Sequence, residues 1–210
     1  MKYFIPLEPN NKYHIFNHAV GSEKLFRNDE NYMYFLKKFS EYINPIASTF
    51  CYSLIPNHFH FLIEIKEKDI VYNHYKQIEI SKDKVTYKNE NELIYPDFIM
   101  QQFSNFFNSY TKSYNKRFNR KGALFIDYMR RVLISDEEYL RNLVLYIHQN
   151  PIHHNCSLYL DKWKYSSYNS FFSEKPSKIE RSEVISWFGD FENFIHLHAI
   201  KNINFIHPNL

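Results

Sequence analysis

The chain predicts an α+β fold: a ferredoxin-like β-α-β-β-α-β unit with a central antiparallel sheet, then one more helix and a C-terminal helical extension. Three observations in the 210-residue sequence lead there. Short runs rich in Ile, Val, Tyr and Phe alternate with stretches of helical periodicity. Two of these runs are separated only by Pro56-Asn57, the spacing of a hairpin. The strongest helical stripe stands between the third run and the fourth.

Residues 12–20 make the first strand run, stopped by Gly21. Over 29–44, Tyr32, Phe35, Leu36, Phe39 and Ile43 recur at helical spacing, and Pro45 closes the helix. Residues 46–55 and 58–65 supply the second and third strands. Residues 66–91 are polar, Lys-rich and weakly periodic. They read as an insertion or a mobile loop, with room for a short hairpin around Ile78 and Val85, the whole insertion being counted as 66–97. Beyond Pro96-Asp97, Ile99, Phe103, Phe106, Phe107, Tyr110, Tyr114 and Phe118 form one apolar stripe. Lys116, Arg117, Arg120, Lys121 and Gly122 end that helix. Residues 125–134 read as the fourth strand. Ser135 as N-cap with Glu138 three residues on reads as a capping box. The helix it opens carries Leu140, Leu143, Val144 and Ile147 and is expected to stop at Pro151. Residues 163–172 are aromatic and Ser-rich, and 179–200 read as one or two helices. The expected division is a domain over 1–174 and a helical extension over 175–210.

Composition narrows the classes of function. Hydrophobic residues are 44% and charged residues 23%, which excludes disorder of the whole chain. With only 3 Gly, no glycine-rich phosphate loop can be built. The net charge of +3 permits nucleic acid binding without arguing for it. Cys51 and Cys156 are the only cysteines, so neither a disulfide framework nor a Cys-based zinc site is expected. Pro6, Glu8, Pro9 and Lys12 interrupt the start, and no run approaches a membrane span. The expectation is a soluble cytoplasmic protein with no membrane partner.

The chemistry-bearing candidates are few. His58 and His60 lie two apart in a strand, so both imidazoles point to one face and can converge on one ion. With 11 His present, such a pair also arises by chance. His196 and His198 have the same spacing in a helical pattern, where they do not face each other, and read as surface or core residues. Tyr146 lies on the flank of its helix's apolar stripe, near His148 and with Asn150 four residues on; it serves either as a reactive phenol or as packing. Tyr110 and Tyr114 lie inside a stripe and read as core. Alternation sends Arg130 and Arg131 to opposite faces, toward a phosphate or a solvated edge. The basic group Lys116, Arg117, Arg120 and Lys121 is a charged helix end or a track for a nucleic acid backbone.

Together these pieces resemble a family. The run Tyr52-Ser53-Leu54-Ile55-Pro56-Asn57-His58-Phe59-His60-Phe61-Leu62-Ile63 is similar to the signature of the REP-associated tyrosine transposases. These are IS200-like Y1 transposases of the HUH (His-hydrophobic-His) superfamily. Tyr13-His14-Ile15-Phe16-Asn17-His18 with Leu25-Phe26, then Gly122-Ala123-Leu124-Phe125, then Tyr146-Ile147-His148-Gln149-Asn150-Pro151, then Trp163-Lys164-Tyr165-Ser166-Ser167-Tyr168 follow in the family's order. The resemblance spans roughly residues 12–172. His18 stands where many relatives carry Arg.

The resemblance implies a metal-dependent endonuclease and strand transferase acting on single-stranded DNA that contains a hairpin. His58 and His60 match its metal ligands and Tyr146 its nucleophile, which forms a 5′-phosphotyrosine link. Asn150 matches the polar residue, often Gln, that completes the metal site. Mg²⁺ or Mn²⁺ and a homodimer are implied too, although two imidazoles and an amide would also suit Zn²⁺. Two other readings stay open. One is a non-catalytic module binding structured single-stranded DNA or RNA. The other is a nuclease using metal-bound water.

Overall fold

The structure is a computed structural model that describes residues 5–82, 86–126 and 128–200. It has the expected α+β fold. Strands β1 (Lys12–His18), β2 (Ala47–Ile55), β3 (His58–Ile65) and β4 (Arg130–Ile134) form one antiparallel sheet in the order β2-β3-β1-β4. Helices α1 (Asp29–Tyr42), α2 (Lys68–Ser81), α3 (Tyr95–Arg117) and α4 (Glu137–His153) follow, then α5 (Arg181–Trp187) and α6 (Phe191–Ile200).

Alternation along the strands divides the core in two. On one face Tyr13, Ile15, Phe59, Phe61 and Ile63 meet α1 and α3. There Phe61 stacks on Phe39 with ring centroids 4.1 Å apart. Tyr110 is buried on this face and donates its hydroxyl to the Leu25 carbonyl at 2.6 Å. Tyr110 and Tyr114 are thus core residues, as their place in the stripe predicts. The other face is covered by α4, α5 and α6, whose Leu143, Val144, Val184 and Phe194 pack on Phe50, Leu62 and Ile134. A register shift between Thr49 and Cys51 lets neighbouring Phe50 and Cys51 both join this second core.

Several local expectations are corrected. The stretch read as a loop contains α2, because Val71, Tyr75 and Glu79 recur every four residues and face inward. Tyr75 packs edge-on against Phe98 of α3, centroids 5.3 Å apart. Ile78 therefore sits in a helix and not a hairpin; Val85 lies outside the described residues. Helix α3 takes Pro96 into its first turn, where a missing N–H costs nothing. The fourth strand is regular only from Arg130; Phe125 makes an isolated bridge to Ala19. Asp136, not Ser135, caps α4, its carboxylate accepting from the Tyr139 N–H at 2.6 Å. Glu138 then falls one residue short of the position a reciprocal box needs. Helix α4 also runs through Pro151 to His153. So near the C-terminus, proline removes a single backbone bond. The terminal helical stretch is two helices, parted at Gly189 with φ +88°. Residues 201–210 of the extension lie outside the described residues. Among the described residues no helix is long and apolar enough to cross a membrane.

A buried chain of hydrogen bonds ties the C-terminal helices to the rest. Ser167 Oγ lies 2.8 Å from His148 Nε2, and His148 Nδ1 lies 2.9 Å from His198 Nε2. His198 Nδ1 lies 2.7 Å from the Phe194 carbonyl. A carbonyl only accepts, so His198 holds its proton on Nδ1 and accepts at Nε2. His148 must then donate from Nδ1 and accept the Ser167 hydroxyl at Nε2. Both rings are neutral. Burial holds His148 well below the ordinary imidazole range and lowers His198 to about 4.

The unfolded chain protonates His198 near pH 6.5, well before the folded one does. Its stabilisation is complete above that pH and is lost as pH falls toward 4. A His198→Gln variant should be less stable than the parent at pH 7 by about 2 kcal/mol. In urea titrations the gap should close as the pH approaches 4.5 or so; a gap of constant size would contradict the neutral-ring assignment.

Candidate active site

The pairing of β1 with β3 places His18 opposite His58 and Phe16 opposite His60. His14, Phe16, His18, His58 and His60 therefore share the face that α4 covers. His58 and His60 stand with ring centroids 5.2 Å apart and planes at 88°. Helix α4 brings Tyr146 edge-on to His60, centroids 5.5 Å apart, and to His14 at 6.4 Å. Because α4 continues through Pro151, Asn150 lies one turn on and on the same side as Tyr146. Thus the structure brings His58, His60, Tyr146 and Asn150 together from a hairpin strand and a helix some 80 residues later.

All four side chains are buried. Tyr146 retains 7% of its surface exposed, so its phenol is walled by His14, His60 and His153. Burial raises its pKa, and the Asn150 amide opposes that rise. Burial, then the neighbouring His18 and His154 rings, lower His58 to about 2. At neutral pH it is a neutral imidazole, the form that binds metals.

The donor set suits a divalent cation. His58 Nδ1 is 3.0 Å from Asn57 Oδ1, and His60 Nδ1 is 2.9 Å from His14 Nε2. Each ring is thus oriented through Nδ1, and Nε2 is the nitrogen that would take an ion. Asn150 is fully buried, yet neither its Oδ1 nor its Nδ2 makes a hydrogen bond of ordinary geometry. It stays near enough to influence His58 and Tyr146. A buried amide lacking such bonds costs about 1–3 kcal/mol, which a ligand role would offset. Among the described residues no group of three or more His, Cys, Asp or Glu is arranged so that it could hold a metal ion. The candidate set is two imidazoles and an amide.

Residues beyond the expected set surround it. His18 stacks on His58 at 4.3 Å, and His154, at the end of α4, meets it at 4.5 Å. Burial, then the charge of Arg130, lowers the His18 pKa. The signal for His14 and His18 was the same period of two that marked His58 and His60, one strand away.

The expected basic residues divide. Arg130 and Arg131 do take opposite faces. Arg130 lies on the histidine face with its guanidinium 5.9 Å from the Phe16 ring. Arg131 donates to the Ile5 carbonyl on the other side. Arg120 is held by Glu23 at 3.0 Å and by the Ala123 carbonyl at 2.6 Å, and Arg117 pairs with Glu30. Lys116 and Lys121 are exposed. Arg120 and Arg131 thus hold the fold together, and the structure does not gather the six into one patch.

No family model matches the chain, and the comparison with curated proteins finds no match. Among solved structures, one described as "Structure of the REP associates tyrosine transposase bound to a REP hairpin" has a similar fold. The two agree with a TM-score of 0.57 over 84% of this chain and 88% of that one, at 12% identity. At that identity the likeness is one of fold.

The orphaned amide gives a test of the site's cost. Asn150→Leu removes the buried polar group at similar volume and should leave stability unchanged or raise it by about 1 kcal/mol. Urea unfolding checks this, and a loss above about 2 kcal/mol would mean that the amide is satisfied in the fold.

Proposed function

We propose that this chain is a metal-dependent DNA strand transferase that cuts and rejoins single-stranded DNA through a covalent link to Tyr146. The observation that carries the reading is the meeting of Tyr146 with His60 on the sheet face that also holds His58, with Asn150 one turn along α4 from Tyr146. The similar fold of a transposase bound to a hairpin supports hairpin-containing DNA as the substrate class.

His58, His60 and Asn150 would hold a divalent cation, Mg²⁺ or Mn²⁺. When bound, such an ion polarises the scissile phosphate and offsets charge in the transition state. The chain's own contribution is placement. Helix α4 fixes Tyr146 beside His60, so a phosphate bound at His60 would be presented to the phenol. Attack by that oxygen forms a phosphorus–oxygen bond to Tyr146 and breaks the bond to the 3′ oxygen. The proton lost by the phenol balances the one gained by the leaving hydroxyl. The new ester retains the energy of the broken one, so a second strand end can reverse the step without a nucleotide cofactor. Of the six basic residues, Arg130 is the one that lies on this face; Lys116, Arg117 and Lys121 are proposed to follow the DNA backbone farther out, with Arg120 and Arg131 acting through the fold. Residues 1–174 form the catalytic unit in this reading, with 175–210 a helical extension, and the working form is a homodimer.

One observation favours a second reading. Tyr146 is 7% exposed and its pKa is raised by burial, which also suits a module that grips structured single-stranded DNA or RNA without cutting it.

The two readings differ in a covalent product. With a hairpin-bearing single-stranded oligonucleotide and Mn²⁺, the parent protein should give a denaturant-resistant protein–DNA adduct. Tyr146→Phe should give none, and His58→Ala or His60→Ala should lower the rate roughly a hundredfold or more. Normal hairpin binding with no adduct under Mg²⁺, Mn²⁺ or Zn²⁺ would establish the binding module instead. Cleavage retained in Tyr146→Phe would indicate water as the nucleophile. Light scattering checks the dimer: a monomer mass at every concentration would remove it.

A further inference from the structure

We propose that His14 is a positioning residue that sets the tautomer of His60 and thereby decides which of its nitrogens can hold the cation. The inference rests on the reading of His60 as a ligand and names a residue outside the proposed ligand set.

His14 lies fully buried on β1, opposite Leu62 of β3 and so diagonal to His60. Its Nε2 is 2.9 Å from His60 Nδ1. Its ring also stacks on Phe16 at 4.8 Å and presents an edge to Tyr146 at 6.4 Å. One residue thus touches both the proposed ligand and the proposed nucleophile.

Proton counting gives the consequence. A neutral imidazole carries one N–H and one acceptor nitrogen. Two ring nitrogens at hydrogen-bonding distance need one proton between them. If His14 donates from Nε2, His60 accepts at Nδ1 and holds its proton on Nε2, which blocks that nitrogen as a ligand. If His14 accepts at Nε2, His60 donates from Nδ1 and has a lone pair at Nε2. Only the second arrangement suits a ligand, and it requires His14 to hold its own proton on Nδ1. Asn57 Oδ1 does the same for His58 from 3.0 Å, and as an acceptor it has no alternative state. His14 can take either role, so the site's competence depends on it.

Packing and positioning predict opposite variants. His14→Phe keeps an aromatic ring to stack on Phe16 and His60 but has no acceptor. His14→Gln loses the ring, yet its amide oxygen can reach the place of Nε2 and accept. Calorimetric titration with Mn²⁺ should show His14→Phe weakened by about 10–100-fold, with His14→Gln close to the parent. The reverse order, or two equal losses, would overturn the inference and leave His14 a packing residue. Should His14→Phe not fold, ¹⁵N spectra of the parent protein in Mg²⁺ decide the matter. Protonated Nδ1 on His60 supports the proposal, and protonated Nε2 overturns it. The parent reading fails separately: if the unaltered protein binds no Mn²⁺, or if His60→Ala binds as well as the parent, both fall. If His60→Ala abolishes binding and His14→Phe does not weaken it, only the role of His14 falls.

Discussion

The pleat of β3 governs this structure. Successive side chains on a strand must point to opposite faces, so Phe59, Phe61, Ile63 and Ile65 go one way and His58, His60 and Leu62 the other. The first set packs into the core with α1 and α3. The histidine set is left facing a second layer, and α4 supplies it with Tyr146 and Asn150. A shift of one residue in the register would exchange the two sets and destroy both the core and the site. Fold and candidate chemistry are therefore written into the same eight residues.

Burial then sets the character of the site. It contains no fixed carboxylate of its own among the four residues that converge. Desolvation drives His58 toward the neutral base and Tyr146 toward the neutral phenol. Such a set holds polar atoms and almost no charge. Partner groups make the arrangement tolerable: Asn57 satisfies one ring and His14 the other. For Asn150 the fold supplies no ordinary bond.

What was legible in the sequence was local. The strands, the hairpin and the stripe of α3 follow from periods of two and of 3.6, and the pairing of Tyr146 with Asn150 follows from one helical turn. Helix α2 is hard to read because Glu79 fills one place of its inward stripe while Ile70 and Ile80 stand exposed on the other side, which blurs the apolar repeat. Helix α4 outruns the end that Pro151 suggests, because a proline in the last turn removes too little to stop a helix. Long-range partners left no local trace. His14 meets His60 across 46 positions and His148 meets His198 across 50. Only the register of β1 on β3, or the docking of α6, brings them together.

The one-way bond chain from Ser167 to Phe194 has an evolutionary corollary. Each imidazole there accepts on one nitrogen because its neighbour donates, so exchanging His148 or His198 alone strands the other, whereas Ser167 also bonds the Tyr52 backbone. Neutral drift should hence retain His148 and His198 together or discard them together. The pair would then behave as a single inherited character spread over two distant codons.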